Sequence, residues 1–359
     1  MSRLSAFQER MRKEKVEAVL VSSEINQRYL SGFSYTDGYF LVTRQEAMLI
    51  TDFRYTEAAT AAVDPKEITV LQPDGKMLKE VGKLLKKRGI ARVAVEEEEV
   101  SITLFDKMKE ELGNAVVPVC GASKLLLEQR EVKLPEEILA MEKAQAVTDS
   151  AFTHILGYIT PDKTEREVAL ELEFFMRSHG AEALAFDTIA VSGDASSLPH
   201  GVPRDVKIKK GFFTLDFGAK VDGYCSDMTR TIVIGKADAE MKRLYETVLK
   251  AQTTALEQLH AGMTGYEADK IARDIIYGAG YEGCFGHSLG HGVGMFIHEE
   301  PRLSASAKTK KLVPGNVVTV EPGIYKAGQY GCRIEDMVAI LDNGSIHNFT
   351  HSDKRLIEL

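Results

Sequence analysis

The sequence predicts an α/β (α+β) fold in two domains, and three observations carry that expectation. At 359 residues the chain exceeds what one ordinary hydrophobic core serves. Its first third alternates helix-like and strand-like patterns. Beyond a polar run at residues 128–133, the pattern changes to two similar halves, each leading from a capped helix through a histidine-containing segment to an apolar strand that ends in an acid. The expected domains are therefore 1–130 and 131–359.

In the first domain, residues 4–15 read as an amphipathic helix, 17–22 as an apolar strand and 27–30 as a short helix. The runs 39–43 and 47–51 read as a hairpin, 76–88 as a helix, 92–95 as a strand and 102–112 as a further helix. This region carries no phosphate loop, dinucleotide fingerprint or metal-ligand cluster. Tyr29, Phe33, Tyr35, Tyr39 and Tyr55 are expected in the core or lining a cleft. The polar run 128–133 is expected to be a linker, closed by Pro135, with a long helix from Glu136 past Ala151. In the second domain, Thr164-Glu-Arg-Glu167 and Thr264-Gly-Tyr-Glu267 are capping boxes that open helices, which end near Gly180 and Gly280. His200 follows in one half, and His287, His291 and His298 in the other. The halves finish with the strands 211–216 and 315–321. Such a duplication brings two carboxylate hairpins together about a pseudo-twofold axis, and a cleft between halves is a usual place for a site.

Hydrophobic residues at 44% and charged residues at 27% describe a soluble globular protein, and a net charge of −8 argues against a general nucleic-acid binder. No apolar run reaches the roughly 18 residues of a membrane-spanning helix. The start is expected to be an amphipathic helix and not a signal peptide. Cys120, Cys225, Cys284 and Cys332 are far apart with no Cys-x-x-Cys, which fits a reduced cytoplasmic protein.

Acids carry the chemistry. Folding residues 211–235 about a turn near Val221-Asp222-Gly223 is expected to place Asp216 opposite Asp227. Folding 317–340 about Gly328 places Glu321 opposite Glu335. Facing strand residues have Cβ atoms roughly 4.5–5.5 Å apart, and like charges there repel. Two such pairs flanked by apolar residues point to bound cations. Converging carboxylates totalling about −4 need compensation of about +4, which two divalent ions supply. Oxygen donors with one imidazole suit Mn²⁺, Co²⁺, Fe²⁺ or Zn²⁺. His291 is the best imidazole candidate, because the glycines of Gly290-His-Gly-Val-Gly294 let backbone approach a crowded centre. Co-catalytic ions about 3.5–4 Å apart can share a hydroxide nucleophile and polarise a carbonyl.

Leu215-Asp-Phe-Gly, Ser226-Asp-Met-Thr-Arg, His287-Ser-Leu-Gly-His-Gly, His298-Glu-Glu-Pro, Glu321-Pro-Gly-Ile-Tyr and Arg333-Ile-Glu-Asp together resemble the proline-specific "pita-bread" metallopeptidases. That family includes Xaa-Pro dipeptidase (prolidase) and Xaa-Pro aminopeptidase. The resemblance spans the chain, with residues 1–130 resembling a creatinase-type N-terminal domain and 131–359 the pita-bread catalytic domain. It implies hydrolysis of the bond between an N-terminal residue and proline in short peptides. It also implies two divalent ions, Mn²⁺ foremost, held by Asp216, Asp227, His291, Glu321 and Glu335, with Asp227 and Glu335 bridging. Glu321 would shuttle the proton from water to the departing amine. His298 and His200 would stabilise the oxyanion. His287, one turn before His291 if that segment is helical, would line the pocket wall, and Arg333 and Tyr325 would bind substrate or brace a ligand. A homodimer fits the resemblance.

Other acids and histidines read more simply. His179, His260, His347 and His351 lack the motif context and are expected to be structural or exposed. Glu96-Glu-Glu-Glu99 reads as a solvated loop or helix start, Asp222 as a turn residue and Asp336 as facing away from the ligands. Cys225 and Cys332 are expected in packing. Three other readings compete: a creatinase-like amidinohydrolase that needs no metal, a methionine aminopeptidase, and a non-catalytic peptide-binding module of the same fold. Retention of all five ligands counts against the first and the last, and the additional N-terminal domain against the second. The compact length and short second hairpin loop fit the smaller prolidase-type enzymes.

Overall fold

The computed structural model describes residues 2–359, which fall into one unit ending at Gln129 and a second, Arg130–Leu359. The first unit opens with α1 (Arg3–Lys13), started by Ser2 accepting from the Ser5 N–H and burying Leu4, Phe7 and Met11 at helical spacing. Then follow β1 (Ala18–Val21), α2 (Glu24–Ser31), β2 (Gly38–Thr43), β3 (Ala47–Thr51), α3 (Phe53–Ala62) and β4 (Ile68–Leu71). The chain continues with α4 (Met77–Lys87), β5 (Arg92–Val95), α5 (Ile102–Glu111), β6 (Val117–Cys120) and α6 (Ala122–Glu131), whose last two residues belong to the second unit. One mixed sheet results, in the order β4-β3-β2-β1-β5-β6, with Leu20, Leu41, Ile50, Val93 and Val95 in the core beside Leu85 and Met108 from the helices.

Two expectations fail in this part of the chain. The run 128–133 is not a plain linker, because α6 continues through Glu131. Glu96 is not solvated: it is fully buried and accepts from the N–H groups of Ser22 (2.5 Å) and Ser23 (2.9 Å) and from Asn26 Nδ2 (2.8 Å). A carboxylate there satisfies the donors that the start of α2 would otherwise leave orphaned.

The second unit contains the repeat. Its first half has α7 (Pro135–Tyr158), α8 (Glu165–Ser178), β7 (Ala183–Leu184), β8 (Ile189–Ser192), a 3₁₀ turn (Gly193–Ser197), β9 (Gly211–Phe217), β10 (Ala219–Val221), β11 (Tyr224–Cys225) and β12 (Met228–Ile234). The second half has α9 (Ala239–Gln258), α10 (Gly265–Gly278), β13 (Gly290–Gly292), β14 (Glu299–Leu303) and β15 (Val317–Val320). It ends with β16 (Gly323–Lys326), β17 (Tyr330–Arg333), β18 (Asp336–Ile340) and β19 (Ile346–Asn348). Both capping boxes form: Thr164 and Thr264 accept from the N–H of Glu167 (3.1 Å) and Glu267 (3.2 Å), whose carboxylates accept in return. Each threonine also bridges to a lysine ahead of its half's central strand, Thr164 to Lys207 and Thr264 to Lys311. The internal repeat expected from the sequence is therefore present. Its halves present the sheets β12-β9-β8 and β14-β13-β15-β18-β19. Phe213, Leu215, Phe217 and Ile232 fill one core, and Leu244, Val248, Val318 and Val338 the other.

The hairpins set the site. In the first, Asp216 pairs with Thr229 and Phe217 with Met228, not Asp216 with Asp227. The tip is a tight turn in which Asp222 (φ 52°) and Gly223 (φ 88°) take the positive φ that a two-residue hairpin turn requires. The expectation centred the fold too early, so Asp227 lies diagonal to Asp216 on the same face. The second hairpin keeps the expected register: Val320 pairs with Asp336 and Gly323 with Arg333, which leaves Glu321 and Glu335 facing across the gap between these ladders. Among the described residues, no helix is long and apolar enough to cross a membrane.

Candidate metal centre and cleft

The buried faces of these strands deliver the acids to one place. Ligand atoms of Asp227, His291 and Glu335 all lie within 4.8 Å of one another. His291 Nε2 is 3.5 Å from Asp227 Oδ2 and 3.4 Å from Glu321 Oε1. Its Nδ1 lies 3.0 Å from the Gly292 carbonyl, which can only accept, so Nδ1 carries the proton and the Nε2 lone pair faces the acids. That tautomer suits a metal ligand. Glycine is required around it: a Cβ on Gly290 would meet Thr319 O at 2.0 Å, and one on Gly292 would meet Glu300 O at 2.2 Å.

Braces fix the carboxylates. Glu335 accepts from Thr229 Oγ1 at 2.6 Å, and its N–H bonds to Thr229 O at 3.1 Å. Thr319 Oγ1 donates to Glu321 Oε1 at 3.1 Å. Arg333 Nη2 donates to Asp216 Oδ2 at 2.5 Å, while Asp216 Oδ1 is buried with no hydrogen-bond partner. An orphaned buried carboxylate oxygen calls for a ligand. Burial raises Asp227 and Glu335 well above the usual carboxylate range, and neighbouring acids push them further. Burial, with the Asp216 charge and against the Arg333 charge, raises Glu321 to about 7. Burial also lowers His291 to about 3, so it is neutral. Lone pairs and repelling carboxylates that converge without a cation fit divalent ions. The oxygen-rich donor set with one imidazole is the kind hard or borderline metals take.

These residues line a cleft of about 480 Å³ together with His200, His287, His298 and Arg333. The His298 ring stands edge-on to His291, with centroids 4.4 Å apart. His287 is not on a helix; it lies in the loop before β13. Its Nδ1 is 2.8 Å from Ser288 O, so its Nε2 accepts from the Tyr325 hydroxyl at 3.0 Å. Arg333 Nη1 donates to that hydroxyl at 2.6 Å. A continuous chain thus runs from His287 through Tyr325 and Arg333 to Asp216. Burial and the Arg333 charge lower His287 to about 4. Tyr325 sits behind the lining residues as a brace and does not face the cleft directly.

The sequence reasoning passed over Arg302. It lines the cleft with 43% of its side chain exposed, and the nearest acid, Glu300, is 3.8 Å away. Its signal was an arginine four residues beyond His298, in the run His298-Glu-Glu-Pro-Arg302. Several residues expected outside the site have partners of their own or are packed elsewhere. Asp336 pairs with Arg230 at 2.8 Å and Lys354 at 2.7 Å, and His347 with Glu142 at 2.7 Å. Asp222 faces Lys143 at 3.4 Å, and Cys225 and Cys332 are buried thiols.

The profile of metallopeptidase family M24 matches residues 140–342, and that of the creatinase/prolidase N-terminal domain matches residues 3–132. An Xaa-Pro dipeptidase of Pyrococcus horikoshii is 38% identical over 350 residues, covering 97% of this chain and 96% of that protein. A solved Xaa-Pro dipeptidase from Bacillus anthracis superposes with a TM-score of 0.93 at 39% identity, covering 99% of both chains. An X-Pro aminopeptidase from Thermotoga maritima superposes with a TM-score of 0.89 at 35% identity, covering 97% of this chain and all of the other, at 100%.

Proposed function

The chain belongs to metallopeptidase family M24, with a creatinase/prolidase-type N-terminal domain, and on that premise we propose that it is a metal-dependent Xaa-Pro dipeptidase. The observation that carries this reading is Arg302, paired with none of the site's acids and only distantly with Glu300 at 3.8 Å, in the same cleft as the converging Asp216, Asp227, His291, Glu321 and Glu335. These five residues would hold two divalent ions, with Mn²⁺ the first choice and Co²⁺, Zn²⁺ or Fe²⁺ the others. Bound ions would supply Lewis-acid polarisation of the carbonyl and acidification of water.

The side chains do the rest. A bond before proline is a tertiary amide with no N–H, so recognition cannot use that donor and falls on the ends of the substrate. Arg302 takes the proline carboxylate through charge-assisted hydrogen bonds. Glu321 accepts a proton from the attacking water and passes it to the proline nitrogen, which leaves as a secondary amine. His298 and His200, on the open side of the acids, donate N–H groups to the oxygen that gains charge. Arg333 and Tyr325 hold Asp216 and His287 in place. Free cysteines at positions 120, 225, 284 and 332 suit work in the cytoplasm. Retention of the whole donor set disfavours a metal-free amidinohydrolase or a non-catalytic module. Turnover of Ala-Pro against Ala-Pro-Ala tests the assignment: a dipeptidase cleaves the first and spares the second, and comparable rates on both remove the dipeptidase label.

A further inference from the structure

Arg130, Lys133 and Glu299 form a buried cluster of charges beside the metal centre, with side chains 2%, 1% and 4% exposed. Nothing in the mechanism above uses them. Glu299 follows His298 directly in the chain and opens β14, where it pairs with Gly292 beside His291. Arg130 Nη2 donates to Glu299 Oε1, and Lys133 Nζ donates to Oε2 at 3.2 Å. Burial works against the charged carboxylate, but Lys133 and Arg130 outweigh it and hold Glu299 below the usual range. Burying ions is costly, and hydrophobic replacements are often as stable, so such a cluster asks for a reason other than stability.

The reason lies in the loop ahead of it. Glu299 Oε1 accepts from the Phe296 N–H at 3.0 Å, and its carboxylate fills the space over Gly294, where a Cβ would stand 2.4 Å from Oε2. The Arg130 guanidinium lies 5.1 Å from the centroid of the Phe296 ring. Gly294 is tied in turn, since its carbonyl accepts from Cys225 N at 2.8 Å, two residues before Asp227. His291 and His287 have ring nitrogens fixed by hydrogen bonds. Among the described residues, the exposed His298 ring has no such partner, so its place is set by its main chain and by contact with His291. The geometry points to Glu299, anchored by Arg130 and Lys133, as a positioning residue that aims His298 at the reacting carbonyl.

This inference rests on the peptidase reading, and a double-mutant cycle on the metal-loaded enzyme separates the two. Wild-type turnover of Ala-Pro tests the reading itself. Within the cycle, Glu299→Gln lowers kcat about tenfold, with KM changed less than about twofold and bound metal equal to wild type. In a His298→Ala background, the same substitution costs no further activity, because the residue it acts through is gone. A loss of equal factor in both backgrounds, or loss of metal, overturns the proposal in favour of a general structural role. If Glu299→Gln does not fold, Lys133→Met supplies the cycle: it keeps the Arg130–Glu299 pair and loosens only one anchor. A loss of kcat that disappears in the His298→Ala background supports the proposal, and a background-independent loss, or none, refutes it.

Discussion

Replacing Arg302 by glutamine removes the one arginine that, among the described residues, lines the cleft without being tied to an acid of the centre. Arg333, the other arginine lining it, is bonded to Asp216. Hydrogen bonds to charged groups are worth about 1.5–3 kcal/mol. With 43% of the Arg302 side chain exposed, solvent screening favours the low end of that range, about 1.5–2 kcal/mol. At about 1.4 kcal/mol per factor of ten, Arg302→Gln should lower kcat/KM on Ala-Pro about 10- to 30-fold, mainly through KM. The assay compares Ala-Pro with Ala-Pro-amide, which presents no carboxylate. The wild type should prefer the free acid, and the variant should lose that preference while turning over the amide at close to the wild-type rate. Equal losses on both substrates would refute the reasoning, since the arginine would then be serving something other than the carboxylate.

Other perturbations test other parts of the site. Glu321→Gln should lower kcat by about 10²–10⁴ with bound metal retained, read by steady-state kinetics beside metal analysis; an unchanged kcat removes Glu321 from the proton path. Chelated protein should lose stability as pH rises. Asp227, Glu335 and Glu321 have raised folded-state values, so the stability they contribute is full below the ordinary carboxylate range and lost through their raised values, about 7 for Glu321. Thermal melts between pH 4 and about 8 should show that decline, and Mn²⁺ should abolish it; a metal-free melting temperature that rises over this range contradicts the sign. Arg230 donates to Asp336 (2.8 Å), Glu335 O (2.5 Å) and Ser352 O (2.8 Å), so Arg230→Met should cost about 3–5 kcal/mol in urea unfolding, and a loss below about 1 kcal/mol would show the network to be dispensable.

Much of the site was legible because acids inside apolar strands are expensive and therefore informative. Asp216 in Phe-Thr-Leu-Asp-Phe and Glu335 beside Ile334 have no reason to be buried except a cation. The repeat was legible through its capping boxes, whose chemistry is local. What escaped depends on contacts distant in sequence. The Asp216–Asp227 offset hinged on a two-residue turn, Asp222-Gly223, with both residues at positive φ. In the first unit, α3 buries only Ala59 and β6 buries only Pro118 of its four positions, so neither writes a hydrophobic period into the chain. Glu96 was misread because its partners, Ser22 and Ser23, lie far back in sequence. Arg302 gave no motif of its own, and its meaning depends on facing the cleft.

The most direct test of the account is a titration of chelator-stripped protein with Mn²⁺, following bound metal and Ala-Pro hydrolysis together. Activity should return in step with two equivalents bound, and Asp227→Asn or Glu335→Gln should weaken both signals in parallel. Full hydrolysis by stripped protein, or Mn²⁺ binding unaffected by either substitution, would contradict it.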